Sequence, residues 1–205
     1  MLRGSALLHE VSKRILVRYL RDRGYSDAAV TSSMVDGAEG IDLYYSGVGK
    51  RIGVKVKADS YYGIDPSKIA DRDLVFYRTA TDSYGLEMIA DASTRQPGWV
   101  QRSRADELYY YSVALGQTEE EIAALMEEPD EVFFSELRVE RDDLRVVPMI
   151  GLREWFDKSA ERFTARPVVT DGRSAWYRIV PREAIDRAVA GVRDAGPVFS
   201  SLAHR

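Results

Sequence analysis

The segment from residue 51 to residue 59 constrains the fold more than any other part of this 205-residue chain. Apolar residues occupy every second position, namely Ile52, Val54, Val56 and Ala58. Side chains of a β-strand point alternately to its two faces, so this period of two predicts a strand with one buried face. The other face carries Lys55, Lys57 and Asp59, which makes it a candidate for chemistry.

The residues before this strand predict a partner strand, so that residues 41–59 form a β-hairpin. Positions 41, 43 and 45 are apolar or aromatic, and residues 46–49, Ser-Gly-Val-Gly, supply the turn. The hairpin is expected to bring Asp42 close to the two lysines. One interpretation is a cross-strand ion pair between Asp42 and Lys55 or Lys57, which contributes a fraction of a kcal/mol.

Residues 5–23 predict the clearest helix, with Ser5 as N-cap, Gly24 as C-cap and an apolar stripe at helical spacing. The arginines of this helix fall off the stripe and are expected on a solvated face. Glu10 also lies off the stripe, and Arg14, four residues later, is its expected partner.

Strands and helices alternate along the rest of the chain. Strands are predicted at residues 74–80, 85–90, 131–139, 144–150 and 175–180, and helices at 118–128, 152–163 and 181–193. The strands at 131–139 and 144–150 are expected to form a second hairpin, and the tract 105–115 fits either a helix or a strand. This order predicts an α/β protein with a mixed central β-sheet flanked by helices. No linker-like composition separates residues 118–205 from residues 1–117, so they are expected to extend the same domain.

Composition excludes several kinds of site. The chain has no cysteine and only two histidines, His9 and His204, so a zinc centre or a Ser-His-Asp triad is not expected. No segment has the apolar length of a secretory core or a membrane span, and the cytoplasm is the expected location. Neither glycine-containing segment near residues 37–50 matches a phosphate-binding loop, so no nucleotide cofactor is expected.

Charge is unevenly distributed. The net charge is −4, but residues 118–145 alone carry a local charge of −8, which leaves +4 on the remainder. The mildly basic remainder permits contact with phosphate. Alternatively, the acidic segment could be a surface for a protein partner.

The chemistry of the hairpin suggests phosphodiester hydrolysis. Carboxylates can hold Mg²⁺, which activates water, and a lysine can orient that water or neutralise developing charge. The order of an opening helix with Glu10, then Gly40-Ile41-Asp42, then Gly53-Val54-Lys55-Val56-Lys57 resembles the PD-(D/E)xK nuclease superfamily. The later tract Pro97-Gly98-Trp99, with Asp106 and tyrosines at 109–111, is also similar.

This resemblance covers residues 5–115 and implies a restriction-endonuclease-like core with a C-terminal extension. It implies a Mg²⁺-dependent enzyme acting on DNA, in which Asp42 is a metal ligand, Lys57 the catalytic lysine and Glu10 an accessory acidic residue. One position departs from the family pattern. Lys55 stands two residues before Lys57, where the family has Glu, Asp or Gln, and its ammonium would repel a metal ion.

Two residues could replace the missing carboxylate. Asp59 lies on the same face of the strand, one period beyond Lys57, and Glu87 could reach in from a neighbouring strand. Without such a replacement, the chain would be a non-catalytic nucleic-acid-binding protein in which Lys55 and Lys57 meet phosphate, or an interaction module. The sequence leaves open whether it forms a homo-oligomer.

Aromatic residues are a second group of side chains that could contact nucleic acid. Trp99 and the tyrosines at 109–111 could stack on bases, because an aromatic face accepts any base. Core packing is the more common role of such residues, and it is the interpretation favoured here.

Overall fold

A computed structural model describes residues 5–32, 38–47, 49–60, 82–170 and 173–199. Its helices are α1 (Ser5–Asp22), α2 (Trp99–Arg102), α3 (Glu119–Met126), α4 (Asp130–Glu136), α5 (Met149–Ser159) and α6 (Arg182–Ala188), with a 3₁₀ turn at Ala160–Arg162. Its strands are β1 (Ala29–Val30), β2 (Leu43–Gly47), β3 (Lys50–Ser60), β4 (Ser83–Asp91), β5 (Gln96–Pro97), β6 (Glu107–Leu115), β7 (Val139–Pro148), β8 (Ala165–Thr170), β9 (Arg173–Pro181) and β10 (Arg193–Gly196). Among these residues, no helix is both long and apolar enough to cross a membrane.

The strands form two sheets. The larger one has the order β1-β2-β3-β6-β7-β10, and the smaller one has the order β5-β4-β9-β8. Only the β3–β6 pair is parallel among the described strand pairs, so the large sheet is mixed. The predicted α/β class with a mixed central sheet is confirmed.

Each face of the large sheet has its own hydrophobic core. On one face, Val54 and Val56 of β3 pack with the apolar stripe of α1. On the opposite face, the small sheet packs together with α2, α5 and α6. The central strand β6 contributes to both cores, because Tyr109 and Tyr111 face α1 whereas Tyr110 faces the small sheet. The tyrosines and Trp99 are buried, which confirms that they are packing residues.

The carboxyl end of helix α1 agrees with the prediction, and its predicted N-cap, Ser5, adjoins residues outside the described part of the chain. The helix ends at Asp22, and Gly24 follows with a φ of +94°, a left-handed conformation that glycine adopts without steric cost. The expected solvated role of Arg14 is wrong. Its guanidinium donates hydrogen bonds to the Asp130 carboxylate and the Met126 carbonyl, at 2.8 and 3.1 Å, and it lies 4.1 Å above the Phe133 ring. Arg14 therefore holds α3 and α4 against α1.

The second predicted hairpin is wrong. Residues 130–136 form helix α4, and residues 139–148 form the single strand β7, which pairs with β6. Phe133 and Leu137 are buried four residues apart, and this spacing fits one face of a strand as well as one side of a helix that ends beside Leu137. Strands β1, β5, β8 and β10 and helix α2 were not predicted, and the ambiguous tract 105–115 contains strand β6. The strand predicted at 74–80 lies outside the described residues.

The remaining predicted elements are present. Thr118 and Glu121 form the expected capping box of α3, since each side chain bonds the other residue's backbone amide, at 3.3 and 2.8 Å. Predicted strands at 85–90 and 175–180 lie within β4 and β9, and the predicted helices at 152–163 and 181–193 overlap α5 and α6.

The two-sided core makes a prediction about stability. We expect Leu144→Ala in β7 to lower the free energy of unfolding by about 2–5 kcal/mol, because the side chain is fully buried and its loss leaves a cavity. Ile150→Ala is the control, since that side chain is 69% exposed and should cost less than about 0.5 kcal/mol. Urea unfolding measures both, and equal losses would contradict this assignment of the core.

Candidate functional site

The predicted hairpin forms from β2 and β3, and Asp42 lies just beyond its last paired residues, Leu43 and Val54. The backbone amide of Asp42 donates to the Val54 carbonyl at 2.8 Å. Two residues further along β3, the backbone amide of Val56 donates to the side chain of Asp42, at 2.7 Å from Oδ2. The Asp42 carboxylate thus replaces a backbone carbonyl at the point where β2 leaves the sheet.

The same carboxylate contacts a lysine and a histidine. Lys55 Nζ donates to Oδ2 at 2.9 Å, and Nε2 of His9 on α1 lies 3.3 Å from Oδ1. The Asp42 and Lys55 side chains are each only 16% exposed. Burial alone would raise the pKa of Asp42, but the hydrogen bond from His9 and the charge of Lys55 outweigh it and hold that pKa below its ordinary value.

Asp59 forms a second pair further along β3. It accepts hydrogen bonds from Lys57 Nζ and from the hydroxyl of Tyr110, which lies on the neighbouring strand β6. The Tyr110 oxygen in turn accepts the backbone amide of Gly85, at 2.9 Å, which connects β6 to the small sheet. Burial, and then the negative charge of Asp59, raise the pKa of Tyr110 well above its ordinary value.

The other candidate carboxylates are engaged elsewhere. Glu10 pairs with Lys13 at 2.7 Å, whereas Arg14 binds Asp130. The predicted pair of Glu10 and Arg14 is therefore wrong. Glu87 accepts the backbone amide of Trp99 at 3.0 Å and the Tyr177 hydroxyl at 2.8 Å. Its carboxylate therefore organises the small sheet.

The structure thus separates the predicted site residues into three local pairs. Within the described part of the chain, no three His, Asp or Glu side chains are grouped so that they could hold a metal ion. Oδ1 of Asp42 faces His9, and Oδ2 accepts hydrogen bonds from the Val56 amide and the Lys55 ammonium. The ammonium of Lys55 therefore lies where a metal ion would approach the carboxylate. These contacts do not fit a divalent ion, although the assignment of Asp42, Asp59 and Glu10 as Mg²⁺ ligands stays a prediction until metal binding is measured.

A charged network beside Lys57 and Asp59 was not predicted. Strand pairing aligns Lys57 with Tyr110 and Arg145, and Asp59 with Ser112 and Asp143. Arg182 of α6 binds Asp143 and donates to Ser112 at 3.1 Å.

Arg145 lies near three carboxylates, at 2.8 Å from Asp194 and 3.7 Å from both Asp143 and Asp186. The sequence carries no signal for this network, because the alignment depends on which strands are neighbours in the sheet.

Comparisons with protein-family models, with curated proteins and with solved structures find no match to this chain. The family resemblance therefore remains a resemblance of residues and of their order.

The environment of Asp42 predicts a pH-dependent stability. Because its pKa is lowered in the folded state, its charge contributes stability above the ordinary value of 3.8, and this contribution is lost as the pH falls through the folded-state pKa. We expect Asp42→Asn to cost about 1–3 kcal/mol at pH 7, a difference from wild type that shrinks below pH 3.8.

Urea unfolding across pH 2.5–7 measures this difference. Glu10→Gln, which removes a carboxylate from a more exposed pair, is the control and should cost less than about 0.5 kcal/mol at pH 7. A cost of Asp42→Asn that stays constant over the whole pH range would contradict the role assigned to its charge.

Proposed function

We propose that this chain is a restriction-endonuclease-like protein that takes part in DNA processing by binding, without hydrolysing phosphodiester bonds. The proposal rests on one contact, the 2.9 Å hydrogen bond from Lys55 Nζ to Asp42 Oδ2. The PD-(D/E)xK resemblance of residues 5–115 suggests the fold and the partner, and this contact argues against the activity.

The physical reason is competition for one carboxylate. A divalent ion needs several oxygen ligands, and Mg²⁺ sites usually draw on more than one protein carboxylate or on substrate phosphates. Asp42 already neutralises Lys55 and satisfies the Val56 amide. A metal at Asp42 would have to displace an ammonium and leave that backbone amide without its acceptor, which is costly for a buried group.

The inner lysines are also poor candidates for contact with phosphate. Lys55 and Lys57 are 16% and 22% exposed, and each is paired with an aspartate. More accessible cations lie at the amino end of β6, where Lys50 and Arg104 line a cleft of about 490 Å³ together with Arg153, Asp106 and Glu107. Lys50 also pairs with an aspartate, Asp106 at 3.3 Å, but its side chain is 64% exposed. The side chain of Arg104 is 77% exposed. This cleft is the surface on which we expect a phosphate backbone to bind.

The first prediction concerns cleavage and metal. Wild-type protein should leave plasmid and branched DNA intact in Mg²⁺ or Mn²⁺ and show no metal-dependent change in Tm. Lys55→Glu should produce a Mn²⁺-dependent rise in Tm, because it replaces the competing ammonium by a second carboxylate beside Asp42. Differential scanning fluorimetry with and without Mn²⁺ measures this rise.

The matched control for that variant is Lys158→Glu, which makes the same charge change at an exposed position outside the hairpin. It should show no metal-dependent rise in Tm. If wild-type protein cleaves DNA with Mg²⁺, and folded Asp42→Ala does not, the chain is a metal-dependent nuclease and the proposal is wrong.

The second prediction concerns binding. Fluorescence anisotropy with a duplex oligonucleotide should show affinity that falls as salt rises. Replacing Lys50 and Arg104 together by glutamine should weaken binding and reduce the salt slope by about one unit per lost phosphate contact. Lys55→Gln should leave both unchanged, because this lysine faces Asp42. If Lys55→Gln weakens DNA binding as much as the double replacement of Lys50 and Arg104 does, the phosphate binds on β3 instead of in the cleft.

A second candidate function has its own observation. Helices α3 and α4 and the turn between them expose six carboxylates without an ion-pair partner among the described residues, namely Glu119, Glu120, Glu127, Glu128, Glu131 and Glu136. Such a surface repels nucleic acid and suits a basic protein partner. Absence of DNA binding even at about 50 mM salt would favour this interaction module over the nucleic-acid-binding protein.

A further inference from the structure

A buried carboxylate on β7 has no role in the site described above. Asp142 is only 6% exposed and lies in the hydrophobic core on the α1 side of the large sheet. Its Oδ2 atom accepts three hydrogen bonds, from the Tyr111 hydroxyl at 3.0 Å, from the Val198 amide at 2.7 Å and from the Phe199 amide at 2.8 Å. Two of the three donors therefore belong to one short segment of the chain.

That segment is residues 193–199, here called the strap. It begins as β10 at the edge of the large sheet, where its pairing with β7 is irregular between Asp194 and Gly196. Gly196 has a φ of +63°, which turns the chain away from the sheet. Val198 and Phe199 then enter the core, where Val198 is fully buried.

The hydrogen bonds that stabilise the buried Asp142 carboxylate also hold the strap in place. A carboxylate in an apolar core is stable only if hydrogen-bond donors satisfy it, and here the strap supplies most of them. The other polar anchors of the strap are the backbone pairing of β10 with β7 and two partly exposed ion pairs, Arg193 with Glu107 at 2.7 Å and Asp194 with Arg145 at 2.8 Å. The strap residue of each ion pair, Arg193 or Asp194, is more than half exposed, so solvent screens both pairs in part.

We propose that the strap detaches from the large sheet as one unit, with Asp142 as its latch, while the two sheets remain folded. Detachment removes the closest carboxylate from Arg145 and so alters the charged network beside Lys57 and Asp59. It also uncovers Phe134 of α4, whose ring centroid lies 6.4 Å from that of Phe199. The strap is thus a conformational device that connects the sheet edge to the polar face of β3.

Native-state hydrogen exchange on the wild-type protein tests this proposal directly. If the strap opens locally, the amides of Val198 and Phe199 exchange faster than the amide of Tyr109 in β6. Their rates also stay nearly independent of urea at low concentrations, because local opening exposes little surface. If both amides exchange only through global unfolding, with the full dependence on urea, the strap belongs to the sheet and the proposal is wrong.

Two variants sharpen the test. Asp142→Asn should speed exchange at Val198 and Phe199 by at least about tenfold, because it removes the charge that strengthens both hydrogen bonds. Leu86→Val, in the core on the other side of the sheet, should speed exchange at Tyr109 and leave the strap amides unchanged. Equal acceleration of all three amides by Leu86→Val would overturn the proposal, and this control does not depend on whether Asp142→Asn folds.

Discussion

The parallel pairing of β3 with β6 is the constraint on which the rest of the structure depends. It places β6 in the middle of the large sheet, so that both faces of this strand are covered and three consecutive tyrosines are buried. Parallel neighbours need a crossover connection. Here the crossover contains β4, β5 and α2, which form part of the layer on the second face. The same pairing aligns Lys57 with Tyr110 and Asp59 with Ser112, and so defines the surroundings of the candidate site.

Internal pairing engages several charged residues that the sequence offered to a partner. Lys55 neutralises Asp42, Lys57 neutralises Asp59, and Arg14 holds two helices in place. A buried or half-buried charge is stable only when it is paired, so a charged face in the interior must supply its own counter-charges. Among the described residues, the accessible charges include the cations around the cleft at the amino end of β6 and the carboxylates of α3 and α4. Any partner is expected to bind at these outer surfaces.

Local patterns predicted the elements whose own residues specify them. The hairpin follows from strict alternation around a glycine-containing turn, α1 from its apolar stripe and following glycine, and α3 from a capping box that satisfies two backbone amides within four residues. Prediction failed where local patterns are ambiguous or short. Residues 131–139 contain apolar residues that fit either period, and burial of Phe133 against α1 decides for a helix. Strand β10 has four residues and no alternation, and it exists because β7 offers it a free edge.

The sequence by itself determined the α/β class, the hairpin that carries Asp42, Lys55, Lys57 and Asp59, and the presence of a lysine where the nuclease-like pattern has an acidic residue. These features depend on neighbouring residues and on side-chain alternation, which a chain carries in its order. Only the tertiary structure decided which charges meet. Asp42 faces His9 and Lys55, Asp59 faces Lys57 and Tyr110, and Arg145 and Asp142 acquire partners from the strap. Contacts between charged groups join residues as far apart as 116 positions, as in the pair of Arg14 and Asp130, because sheet register and helix packing, not sequence distance, bring their side chains together.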